Sequence, residues 1–188
     1  MPAGDSPAPS SRRRAGEQDG VTTRVLFVCL GNICRSPLAE AAFNAEAERR
    51  GLDASAESAG TGTWNLGNPP DPRAQAVARS AGHDISGRVA RLVTPEDFRR
   101  FDHLVALDAR NLADLRAMAP PGATARVSLL LDHAPGRAGE PVADPYQGPT
   151  SGFDQTWADV SAGARALADA LEHRRTSNPD ELAAQPSA

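Results

Sequence analysis

The stretch from Val25 to Glu40, VLFVCLGNICRSPLAE, constrains the fold more than any other part of the chain. Its first six residues, Val25 to Leu30, are an uninterrupted apolar run with β-branched and aromatic members. Such a run suits a strand buried on both faces. A short polar loop follows, and Pro37 then stands where a first helical turn tolerates a missing N–H. Leu38, Ala41, Ala42, Phe43 and Ala45 continue a helix to Arg50, stopped by Gly51. A strand covered on both sides that feeds directly into a helix needs layers above and below it, which is the α/β arrangement.

The remaining pattern agrees. DASAESAG (53–60) reads as a second strand, and DPRAQAVARSAG (71–82) as a helix opened by Asp71-Pro72 and closed by Gly82. HLVALD (103–108) is a third buried strand, ARNLADLRAMA (109–119) a helix ended by Pro120, and ARVSLLL (125–131) a fourth strand. A last helix runs from about Gly152 to Arg174, with Val160, Ala164, Leu167, Ala168 and Leu171 on one face. The alternation implies a three-layer α/β domain over 22–175, a four-stranded parallel sheet with helices on both faces. The segments 1–21 and 176–188, rich in Pro, Gly, Ser and Ala without periodicity, read as disordered tails. In such folds functional groups gather at the carboxyl ends of the strands. Cys29 and Asp108 both stand at such ends.

Composition excludes several classes of function. With 40% hydrophobic and 23% charged residues, the 188-residue chain has the mix of a soluble globular protein. A net charge of -4 suggests neither nucleic acid nor an acidic membrane as partner. No apolar run approaches the roughly 20 residues of a membrane helix. Arg12–Arg14 precede no apolar segment of a secretory signal. All 20 Lys-plus-Arg positions are arginine, which removes lysine Schiff-base chemistry and a Walker A lysine. The two cysteines, Cys29 and Cys34, are too close in sequence to staple a fold, and suit a reducing cytoplasm.

Seven residues, Cys29 to Arg35, join the first strand to the first helix. The backbone N–H groups of Leu30, Gly31, Asn32, Ile33 and Cys34 can converge on one point there, and the helix adds its positive end, so the loop suits an anion. Gly31 supplies conformational freedom, and Asn32 tolerates positive φ. Arg35 offers a fork matching two phosphate oxygens, and Ser36 a nearby hydroxyl. A lone cysteine is more often a buried core residue. The five-residue spacing to Arg-Ser at a strand-to-helix turn points instead to a thiolate nucleophile aimed at phosphorus.

These residues carry a resemblance. VCLGNICRSPLAE is similar to the signature loop of the low-molecular-weight protein tyrosine phosphatases, and further similarities follow in order. They are SAGTGTW (58–64), DPRA from Asp71, EDFRRFDHLVALDARNLADL, and DPY at Asp144, so the likeness spans about 24–174. It implies an enzyme without cofactor or metal that acts on phosphotyrosine-containing proteins and small aryl phosphates, as a monomer or weak dimer. Cys29 would be the nucleophile and Arg35 the phosphate-binding fork. By itself Asp-Pro is usually a turn; the resemblance makes Asp144 the general acid and then base. Trp64, in a Gly/Pro-rich loop, would wall the cleft, and Tyr146 would line it. Many members carry a second tyrosine after Tyr146, where Gln147 stands here, so regulation through that position is absent. Ser58 would hold Asn32 in its turn, and Arg88 occupies the place where members have a histidine in that network. Cys34 would capture an oxidised Cys29, making the enzyme redox-sensitive.

Three other readings compete. An arsenate reductase of this fold needs a further cysteine outside the loop, and the sequence has none. Phosphoarginine phosphatases tend to carry threonine where Ile33 stands. A non-catalytic anion-binding module would have no use for Cys29, Arg35, Ser36 and Asp144 together. His83, His103, His133 and His173 are scattered without ligand spacing, and read as surface or helix-end residues.

Overall fold

In the computed structural model, residues 22–177 are described. The order is β1 (Thr23–Cys29), α1 (Arg35–Arg50), β2 (Ala54–Gly60), α2 (Pro72–Ser80), α3 (Asp97–Arg100), β3 (His103–Ala106), α4 (Ala109–Met118), β4 (Arg126–Leu129), a 3-10 turn (Leu130–His133) and α5 (Ser151–Ser177). The four strands form one sheet, β2-β1-β3-β4, and every pairing is parallel. The tails expected at 1–21 and 176–188 lie outside the described residues but for Thr176 and Ser177, which the last helix includes. Among the described residues no helix is long and apolar enough to cross a membrane.

The continuous apolar run of β1 has the predicted consequence. Val25, Phe27 and Cys29 face one core with Leu38 and Phe43 of α1 and Phe153, Val160 and Leu167 of α5. Leu26 and Val28 face the opposite core with Phe98, Phe101, Leu104 and Leu115. Each such fully buried Phe or Leu contributes about 2 kcal/mol relative to exposure. α1 ends as its sequence requires, with Gly51 in the left-handed region at φ 61°. Asp71 caps α2 by accepting from the Arg73 N–H at 2.8 Å, and Asp108 caps α4 by accepting from the Asn111 N–H at 2.8 Å. Against the 3-10 turn, Gly163 of α5 comes so near that a Cβ would meet Leu130 Cγ at 2.4 Å.

The strand ends differ from the sequence reading. β1 stops at Cys29, β3 at Ala106 and β4 at Leu129. The apolar residues beyond them, Leu107, Leu130 and Leu131, are still buried. An apolar run reports burial, not backbone conformation, so each run overshoots its strand. The one-turn helix α3 carries no periodicity long enough to be legible. His103 also departs from its expected surface position: it opens β3 and is buried. His133 is partly buried, and its ring nitrogen lies 3.1 Å from the Ser128 hydroxyl.

Burial of the two histidines has a pH consequence. Burial pushes His103 down to about 4, with Arg174 adding to it, and burial also lowers His133. Both are therefore held neutral in the fold, and the contribution of each is present above about pH 6.5 and is lost as pH falls through its lowered value, about 4 for His103. For His103 the loss is on the order of 2–3 kcal/mol. Thermal unfolding measured from pH 7 to 4 should show a falling Tm, and His103→Gln should flatten that slope. An equal slope in the variant would assign the acid lability elsewhere.

Candidate active site

The site grows from the end of β1. Cys29 is the last strand residue and is buried; its Sγ accepts the Asn32 N–H at 3.3 Å and lies 3.1 Å from Ser36 Oγ. α1 starts at Arg35, and its N-cap position, Cys34, has no side-chain capping bond. The first turn also carries no acidic residue. The orphan N–H groups and the positive helix end are thus left for an anion from solution.

The loop holds its shape by a strained residue and a chain of hydrogen bonds. Asn32, at φ 54°, is the one non-glycine residue with positive φ among the described residues. Its Nδ2 donates to Ser36 Oγ and to Ser58 Oγ, both at 3.0 Å, while its Oδ1 accepts the Arg91 N–H at 3.0 Å. Ser58 in turn donates to the buried Glu40 at 2.7 Å, and Arg88 pairs with Glu40 at 2.9 Å. Arg88 therefore joins the network through Glu40, a residue the sequence did not single out. Burial raises the Glu40 carboxyl, while the Ser58 hydrogen bond and the Arg88 charge oppose that rise.

Arg35 is buried, and its guanidinium is held on two sides. Nη1 donates to Asp108 at 2.6 Å and to the Val142 carbonyl at 3.2 Å, and Nη2 donates to Asp144 at 3.0 Å. Asp108 was visible in the sequence as a strand-end carboxylate, without a role; its contact with Arg35 gives it one. Asp144 stands on the loop after Val142 with a half-exposed side chain, and its second oxygen accepts the Tyr146 N–H at 3.1 Å.

A cleft of about 310 Å³ opens over the loop. Cys29, Leu30, Gly31, Ile33, Cys34 and Arg35 form its floor, and Trp64, Asp144 and Tyr146 its walls. Trp64 is 72% exposed and Tyr146 46% exposed, as rim residues of an open cleft would be. Asn32, Ser36 and Ser58 do not line the cleft; they are buried behind it, supporting the loop. Asn65 and Gln147 join the lining although the sequence pattern gave neither a binding role. Asn65 reaches over Gly31, where a Cβ would meet its Nδ2 at 2.6 Å. Adjacency to Trp64 was the available signal for Asn65.

The two thiols differ in setting. Cys34 is buried, and that burial pushes its thiol up, with Asp71, Cys29 and Asp144 adding to the rise. Cys34 is therefore held as a neutral thiol in this site. Among the described residues no three His, Cys, Asp or Glu side chains come together as a metal site requires. The arrangement is suited to holding a tetrahedral dianion against one sulfur, with a carboxyl group above it.

Comparison with known proteins agrees with this geometry. Residues 24–177 match the family model described as low molecular weight phosphotyrosine protein phosphatase. The protein of that name from Schizosaccharomyces pombe is 44% identical over 133 residues, 69% of this chain and 85% of its own. Low molecular weight protein-tyrosine-phosphatase YfkJ of Bacillus subtilis is 39% identical over 153 residues, 80% of this chain and 97% of its own. The YfkJ crystal structure superposes with a TM-score of 0.77, covering 84% of this chain and 99% of that one. A Drosophila arginine phosphatase is also similar, at 32% identity and a TM-score of 0.73 over 80% of this chain and 97% of its own. From fold, loop and match together, the chain belongs to the low molecular weight phosphotyrosine protein phosphatase family.

Proposed function

We propose that this enzyme hydrolyses phosphotyrosine in proteins, and small aryl phosphates, by way of a phosphocysteine on Cys29. The observation that carries the reading is the meeting of Cys29, Arg35 and Asp144 in one cleft. The loop amides and the Arg35 fork hold the phosphate, and the Cys29 thiolate attacks phosphorus. As the S–P bond forms, the P–O bond to the phenol breaks, and Asp144 gives its proton to the leaving oxygen. Water then attacks the phosphocysteine while Asp144 takes a proton from it. The S–P bond breaks, returning the thiolate and releasing inorganic phosphate. Trp64 and Tyr146 supply apolar walls for an aromatic ring. Both cysteines are free thiols, which suits work in the reducing cytoplasm.

A second reading, hydrolysis of phosphoarginine, draws on the similarity to an arginine phosphatase. Ile33 on the cleft floor favours the aryl ester over a charged guanidino group, because it offers that group no polar partner. Rates on matched phosphotyrosine, phosphoserine and phosphoarginine peptides should rank phosphotyrosine first; phosphoarginine in first place would reverse the assignment. Cys29→Ser should still bind vanadate yet turn over no substrate, and measurable turnover would sink the covalent mechanism.

Asp144→Asn should lower kcat/KM by about 10²-fold or more, with the greatest loss on esters of weakly acidic phenols, because those most need a proton on the leaving oxygen. The same loss on every ester would place the acid elsewhere.

We also propose that Cys34 protects Cys29. Peroxide converts a thiolate to sulfenic acid, which a neighbouring thiol condenses to a disulfide with release of water. Dithiothreitol should then restore the wild type after peroxide treatment, while Cys34→Ser should hydrolyse phosphotyrosine before treatment but fail to recover after it. Full recovery of the variant would leave Cys34 as a packing residue.

A further inference from the structure

The segment that carries Asp144 has no regular secondary structure between the 3-10 turn and α5. Among the described residues, two side chains tie 144–148 to the rest of the molecule by hydrogen bonds. One is Arg35, through Nη2 to the Asp144 carboxylate. The other is Arg73, which donates from Nη2 to the Tyr146 carbonyl at 3.1 Å and from Nη1 to the Gly148 carbonyl at 3.4 Å.

Arg73 stands in the first turn of α2, where a cation opposes the helix dipole. Its position therefore does not serve the helix. Asp71 grips the fork in two places, Nε to Oδ1 at 3.0 Å and Nη2 to Oδ2 at 2.9 Å, and the guanidinium lies 4.6 Å from the Phe153 ring centroid. Arg73 in turn holds the Asp71 carboxyl below the usual carboxylate range. The Asp71 N–H donates to the Ile33 carbonyl at 2.8 Å. A continuous set of bonds thus runs from the anion loop, through Asp71 and Arg73, to the backbone just beyond Asp144.

A bound phosphate changes the balance between the two ties. Nη1 of Arg35 is already engaged by Asp108 and Val142. The phosphate must draw on the rest of the fork, including the Nη2 that holds Asp144 in this structure. The Arg35 tie to Asp144 is then given up or shared at the moment when Asp144 has to be in place. The Arg73 tie does not reach the cleft and is untouched. We propose that Arg73 is a positioning residue for general-acid catalysis, fixing the distance between the anion loop and Asp144 while substrate occupies Arg35. The inference rests on the phosphatase reading above. An ion pair between the half-buried Arg73 and the buried Asp71 that served the fold alone would affect all substrates equally, and that separates the two roles.

The measurement is kcat/KM for 4-nitrophenyl phosphate, whose leaving group needs little protonation, and for phenyl phosphate, whose leaving group needs much. Arg73→Met keeps the aliphatic stem and removes the fork. It should lower kcat/KM for phenyl phosphate about tenfold and for 4-nitrophenyl phosphate no more than about twofold. Arg73→Lys, which keeps the charge on a single donor atom and loses the fork, should fall between. Added to Asp144→Asn, Arg73→Met should cost less than about a further twofold on phenyl phosphate, since the acid it positions is already gone. An equal loss on both esters, or the full loss again in the double variant, would overturn the proposal and make Arg73 a structural residue. Discrimination by Asp144→Asn without discrimination by Arg73→Met would overturn this inference alone. No discrimination by Asp144→Asn would overturn the acid assignment beneath it, and this inference with it.

Discussion

The buried guanidinium of Arg35 is the joint on which the site depends. It is a full positive charge with a side chain only 4% exposed, held by Asp108, the Val142 carbonyl and Asp144. A buried charge without partners costs several kcal/mol, and breaking a buried pair costs about 3–5 kcal/mol. The charge therefore dictates where its partners stand: Asp108 between β3 and α4, Val142 beside Leu107, and the loop that follows. The Val142 N–H donates to the Leu107 carbonyl at 2.8 Å, so the backbone there reinforces the same placement. Two chain segments distant in sequence, one at Asp108 and one at 142–144, converge on one cation. The parallel sheet makes this possible, because it delivers the ends of β1 and β3 to the same edge.

That dependence sets what was legible in the sequence. The first strand, loop and helix could be read because each signal there is local: an apolar run, a Gly-Asn turn, a proline at the helix start. Cys29, Arg35 and the floor residues followed from spacing along one loop. Asp144, Trp64 and Tyr146 were named through resemblance, since an Asp-Pro turn or an exposed aromatic carries no chemistry of its own in sequence. Asp108 and Glu40 escaped a role because both act only through partners on other segments, and pairing across the fold leaves no periodic trace. Arg73 was hidden for a further reason. A cation in a first helical turn looks like a poor helix residue until the carbonyls above it are in view. The buried His103 was missed on the same ground: one imidazole at a strand start does not announce which side chains cover it.

The cleft places its two sulfurs under opposite rules. Cys29 sits at the open helix end, where its sulfur accepts the Asn32 amide and meets the Ser36 hydroxyl. Cys34, five residues on, is buried, and that burial, with Asp71, Cys29 and Asp144 adding to it, keeps its proton in place. The fold gives one sulfur the loop's hydrogen-bond donors and buries the other beside carboxylates.

Arg88 changes the character of the support beneath Asn32. A histidine in its place would gain and lose charge between pH 5 and 8, and the hold on Glu40 would vary with it. A guanidinium keeps its charge throughout that range. Glu40 then keeps a fixed positive partner across that range, and what acid can change in the support beneath Asn32 is Glu40 itself, whose carboxyl burial raises. The proton sensitivity of the brace thus lies with its buried carboxyl and not with its exposed partner.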